Sequence, residues 1–82
     1  MSIDQYQNDL ANVDSRNPNV TEIASRAHEY TEMCKSGQLS KQEYVQLMQD
    51  LQSQLNVDAH LVEQQNLVIM NTAINGLINI AS

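Results

Sequence analysis

The residues of this 82-residue chain that could do chemistry are two histidines, one cysteine and ten carboxylates. His60 and Glu63 stand three apart, and His28 and Glu32 four apart, so each pair could offer two metal ligands from one helix face. Zinc needs three or four ligands, and Cys34 is the only other soft donor. Both pairs are therefore expected to be solvated side chains. A dinuclear carboxylate centre in a bundle would want repeated Glu-x-x-His motifs, which are missing. Cys34 with His28 or His60 would resemble a thiolate pair, but no third orienting group or oxyanion loop accompanies them. Cys34 is expected to be a buried structural thiol. Gly37 and Gly76 are isolated and form no phosphate loop. The segment Asp14 to Asn19 has the Asp and Asn content of a calcium loop without its spacing, glycine or final Glu. No catalytic, metal or cofactor-binding residue is expected, and the chain is not expected to be an enzyme.

Charge narrows the partners. The net charge is −6, with basic residues only at Arg16, Arg26, Lys35 and Lys41. Nucleic-acid backbones need clustered positive charge, and anionic membrane surfaces are disfavoured for the same reason. Neither nucleic acid nor membrane is expected as a partner. A basic protein could be attracted to the exposed acids, and Glu29, Tyr30 and Glu32, with Glu22 nearby, form a possible docking patch. The plainer reading of that patch is an ordinary solvated helix face. The segment "MSIDQYQNDL" lacks the basic and apolar blocks of a signal peptide, so a cytoplasmic location is expected, or a virion if the source is a phage.

The elements that would position these residues are helices. Asn occurs nine times and Gln ten times, against two Gly and one Pro. Few breakers among many Gln, Leu and Met predict an all-α chain. Residues 1–19 read as a short N-terminal helix and a loop. Ser2 would cap the helix, Ile3, Tyr6, Leu10 and Val13 would form its apolar stripe, and it could pack or act as a mobile arm. A second helix is expected from Asn19 or Thr21 to Ser36, with Val20, Ile23, Ala24, Ala27, Tyr30, Thr31 and Cys34 on its inner face. Gly37 is placed to end it in the left-handed conformation. Ser40 and Glu43 then form a capping box, and Leu39 and Tyr44 a hydrophobic staple, for a third helix from Lys41 to Asn56. Its seam is Tyr44, Leu47, Met48, Leu51 and Leu55. A break or kink is expected near Val57, with Asp58 able to cap a new helix. Residues 20–82 would thus hold a helical hairpin and a C-terminal helix within a single domain.

The C-terminal stretch is unusual because no charged residue occurs from Gln64 to Ser82. On a helix, Leu67, Ile69, Met70, Ala73, Ile74, Leu77, Ile78, Ile80 and Ala81 share one arc of about 180°, with amides opposite. The longest uninterrupted apolar run and the Asn stripe argue against a membrane span. A chain this small buries only about two-thirds of its surface or less, and its single cysteine allows no internal disulfide. Oligomerisation is therefore expected to complete the fold. In the plainer reading the apolar half of the tail packs on the hairpin and its amide face meets water. In the sharper one that half is wider than one hairpin groove can cover, and the tail supplies the interface through Leu67, Met70, Asn71, Ile74, Asn75, Leu77 and Ile78, with the asparagines fixing register.

The stretch "EMCKSGQLSKQEYVQLMQDL", residues 32–51, resembles SHOCT-type helical-hairpin modules through Gly37, Leu39, Ser40, Glu43, Tyr44, Leu47 and Leu51. That resemblance implies an oligomerisation or docking unit without catalytic residues. The small, acidic, amide-rich character is also similar in style to virion and accessory proteins of bacteriophages. The function expected is a non-enzymatic structural protein that self-associates, with a phage particle as one setting. The alternative is an acidic adaptor or regulator that binds another protein through the hairpin.

Overall fold

A computed structural model describes residues 3–13 and 17–81. It is all-α: α1 spans Ile3–Ala11, α2 Pro18–Lys35, α3 Lys41–Val57 and α4 Gln64–Ala81, with one 3-10 turn, Ala59–Leu61, between α3 and α4. The expected cap at Ser2 and most of the expected loop lie outside the described residues. The helices pack in a ring, α1 on α2, α2 on α3, α3 on α4, and α4 back on α1. Ile3, Lys35, Lys41 and Ala81 meet at one end of the bundle, so successive helices alternate in direction.

The α2–α3 connection is built from local chemistry. Gly37 has a φ of +84°, the left-handed region that a side chain would penalise. The Gln38 amide donates to the Met33 carbonyl at 2.8 Å and the Gly37 amide to Cys34 at 3.2 Å, which closes the end of α2 as a Schellman motif. The Glu43 amide then donates to Ser40 Oγ, and the Ser40 amide donates to Glu43 Oε1, both at 3.1 Å. This reciprocal capping box starts α3. The Ser40 backbone amide, and after it the Ser40 side chain, hold the Glu43 carboxyl below its ordinary pKa.

Elsewhere the helix bounds shift from expectation. Helix α2 begins at Pro18 rather than at Asn19 or Thr21, because Asn17 caps it by accepting the Asn19 amide at 3.0 Å. Proline lacks the donor that the first helical position would leave unpaired, and its φ already suits a helix. Beyond α3, the break comes at Val57. Asp58 does not cap α4, however. It ends α3, its side chain makes no capping bond to the 3-10 turn, and α4 begins only at Gln64.

The core is one cluster fed by all four helices. Helix α2 contributes Val20, Ile23, Ala24 and Ala27, α3 contributes Tyr44, Met48, Leu51 and Leu55, and α4 contributes Met70, Ala73, Ile74, Leu77 and Ile78. Thr31 and Tyr44 bring hydroxyls into this core and satisfy them internally. Thr31 Oγ1 donates to the Ala27 carbonyl at 2.8 Å, so the 2.6 Å contact between Thr31 and Tyr44 has Tyr44 as donor. Burial pushes the Tyr44 phenol above its usual range, with the Thr31 bond opposing.

Helix α1 is packed. Leu10 is buried, and Ile3, Tyr6 and Val13 lie against the core. The Tyr6 ring sits over Gly76, and a Cβ added there would fall inside it. A glycine in the middle of α4 costs about 1 kcal/mol relative to alanine. Here its missing side chain is what lets α1 approach.

Candidate functional site

The metal-ligand and thiolate pairings do not assemble. Among the described residues no three His, Cys, Asp or Glu side chains cluster. His60 lies in the 3-10 turn and Glu63 just beyond it, so they do not share a helix face. Glu63 instead accepts from Asn66 Nδ2 at 3.0 Å. His28 and Glu32 share a face, but the buried amide of Gln7 lies between them. Its Nε2 donates to Glu32 Oε1 at 2.9 Å and meets His28 Nδ1 at 3.3 Å. Lys35 Nζ donates to Gln7 Oε1 at 3.2 Å and to Asp4 Oδ1 at 3.3 Å. This polar clasp joins α1 to α2. It lowers the Glu32 pKa, chiefly through the Gln7 bond and next through the Lys35 charge. Cys34 is a half-buried free thiol at the bundle end opposite His60.

The glutamates of the docking patch, Glu22, Glu29 and Glu32, are all exposed along α2, and two of them are already paired within the chain. Glu22 pairs with Arg26 at 2.6 Å, Glu32 belongs to the clasp, and Tyr30 packs partly against the core. The Gln7 amide, which links the two helices, gave no local signal in the sequence: a polar residue beside Tyr6 reads as solvent-facing until α2 lies over it.

For α4 the structure separates what the sequence grouped together. Met70, Ile74, Leu77 and Ile78 are at most 9% exposed, within the chain's own core. These four named interface residues therefore do not face outward. The apolar arc is wider than the α2–α3 hairpin covers, as expected, but α1 of the same chain covers much of the rest and leaves Ile80 exposed. Leu67 and Asn71 are half-buried at the edges of the arc, and Asn75 is exposed. Asn75 accepts from Gln52 Nε2 at 2.8 Å, a bond that ties α3 to α4.

What α4 offers outward is a different ridge. Val68, Thr72, Asn75 and Asn79 fall within an arc of about 60° at 100° per residue, and all four are exposed. Val68 is 57% exposed, more than a valine within a helix normally leaves to water. Asp9 of α1 and Asn12 just beyond it border the ridge in a shallow groove with Val68, Ile69 and Thr72. Its other border is Gln52 of α3. The ridge itself carries no charge, whereas exposed positions on α2 and α3 include Glu22, Arg26, Glu29, Lys41, Glu43 and Asp50.

No helix among the described residues is long and apolar enough to cross a membrane. No family model, curated protein or solved structure matches the chain.

Proposed function

We propose that this chain is a non-enzymatic helical assembly protein that associates with copies of itself through the outward ridge of α4. The observation that carries the reading is the charge-free exposed strip of Val68, Thr72, Asn75 and Asn79 on an otherwise strongly acidic protein. Loss of charged residues is the compositional mark of an interface centre, more than bulk apolarity is. Two copies related by a two-fold axis would place the same ridge against itself. The four inward residues Met70, Ile74, Leu77 and Ile78 then act indirectly, by holding the ridge straight, while Leu67, Asn71 and Asn75 border or join the contact. A structural role in a larger particle, such as that of a bacteriophage, fits a small amide-rich subunit of this kind.

The test is solution mass by light scattering across a wide concentration range. Wild type should form a defined oligomer, and Val68→Glu with Asn75→Glu should dissociate it while the helical circular dichroism stays unchanged. A wild-type protein that stays monomeric at millimolar concentration would overturn the proposal. Truncation after Gln65 is unsuitable, because it removes core residues along with the ridge.

A further inference from the structure

The end of the bundle where Lys35, Lys41, Ile3 and Ala81 meet holds a half-open cavity of about 290 Å³. This is close to the lower bound, about 300 Å³, of pockets that take small molecules, and gaps between bundle helices are a common place for them. All four helices line it: Ile3 from α1, Thr31 and Cys34 from α2, Tyr44 from α3, and Leu77 and Ile80 from α4. Two polar features give the cavity a chemical preference.

The first is that its walls ask for no hydrogen bond. Tyr44 donates to Thr31 and Thr31 to the Ala27 carbonyl, and no buried side-chain nitrogen or oxygen among the described residues lacks a partner. The wall is therefore apolar in effect, and Ile80, 43% exposed, extends it to the rim. The second is charge. The chain has ten acidic and four basic residues, yet two of the four, Lys35 and Lys41, line this cavity, and among the described residues no side-chain carboxylate does. Lys35 is engaged by Asp4, Gln7 and Glu32. The Lys41 ammonium is exposed and has no hydrogen bond or ion pair among the described residues. An apolar wall rimmed by one uncommitted cation suits a ligand with an aliphatic tail and an anionic head.

We infer that this cavity binds a medium-chain aliphatic carboxylate, with the tail against Cys34, Leu77 and Ile80 and the carboxylate at Lys41. The site is separate from the α4 ridge and does not depend on self-association.

The experiment is an amide NMR titration of the full chain with sodium octanoate, octan-1-ol and sodium butanoate. Octanoate should give saturable shifts centred on Cys34, Tyr44, Leu77 and Ile80, and butanoate should bind far more weakly for want of a tail. Lys41→Gln, a surface change, should weaken octanoate about three- to fivefold, the effect of one partly exposed ion pair. It should leave octanol unaffected. Ile80→Asn, at a rim position, should weaken both. Octanoate should also slow alkylation of Cys34 by iodoacetamide. The inference is overturned by an absence of saturable shifts, by shifts confined to Val68, Thr72, Asn75 and Asn79, or by octanoate affinity that ignores Lys41→Gln.

Discussion

The α2–α3 hairpin and the α1–α4 pair are held together by different physics. Between α2 and α3, each step is decided within a few residues: Gly37 turns the chain, Met33 and Cys34 accept the freed amides, and Ser40 and Glu43 start the next helix. Between α1 and α4 the partners come from opposite ends of the sequence. Their union rests on a ring over a glycine, Tyr6 on Gly76, and on an apolar face that two neighbours must share. Local motifs keep their geometry in many contexts, since their energies come from backbone groups that every chain carries. A contact such as Tyr6 on Gly76 exists only once the rest of the bundle holds both partners in place. The first region should therefore resist damage to the second better than the reverse.

The strongest way to break this contrast is Ile74→Asp. Ile74 is fully buried, and an unpaired carboxylate there should cost about 3–5 kcal/mol, enough to abolish cooperative unfolding in a domain of this size. Far-UV circular dichroism through a thermal scan reads the loss. Retention of a sharp transition would show that α4 is not integral to the core.

Gly76→Ala is more selective. Alanine favours the helix by about 1 kcal/mol, but its methyl must displace the Tyr6 ring, and overpacking of that kind costs about 1–3 kcal/mol. The expected result is net destabilisation in urea titrations, with faster amide exchange in α1 than in the α2–α3 hairpin. Tyr6→Ala in the same chain should recover part of the loss, because the two changes share one contact. Gly76→Ala that stabilises the protein would place Tyr6 elsewhere in solution.

Ser40→Ala sharpens the comparison from the other side. Removing the cap should cost about 1 kcal/mol, within a usual range of about 0.5–2 kcal/mol, and should leave exchange in α1 in proportion to global stability alone. A larger loss at α1 than at the start of α3 would contradict the local account.

The smallest expected effect is a pH dependence at the same turn. Glu43 titrates below its ordinary 4.5 in the folded chain, so its contribution is complete above that value. It is lost as pH falls through the lower folded value, where the proton is taken up by the native state too. Glu32 has the same sign through its bonds to Gln7 and Lys35. Glu43→Gln keeps an oxygen acceptor for the Ser40 amide without the charge, and should flatten the stability profile as pH falls below the ordinary 4.5. An unchanged profile would mean that the capping box does not survive in solution.

Much of this architecture was legible because its causes are local. Gly37, Ser40 and Glu43 are residue types suited to their backbone positions, and the three-four spacing of Tyr44, Met48, Leu51 and Leu55 names the buried face of α3, although Leu47, expected on the same seam, is only half-buried. The width of the apolar arc on α4 was legible too, and with it the need for more than one neighbour. The start of α2 at Pro18 was hidden by a residue that breaks helices when inside them but suits their first turn. Gln7 was missed because an amide carries no preference for burial until Glu32 and Lys35 are placed beside it.

By itself the sequence determined that the chain is all-α, where its central hairpin turns, and that its C-terminal helix must be covered. Those features arise from backbone capping and from helical periodicity, which act over a few residues. Only the tertiary structure decided what covers it. Helix α1 occupies the part of α4 that an interface with a second copy was expected to fill, and the outward surface moves to Val68, Thr72, Asn75 and Asn79. The reason is physical: an apolar face specifies that it be buried, but the hydrophobic effect is non-directional and does not name the partner. That choice falls to shape, here a tyrosine ring that fits against a glycine.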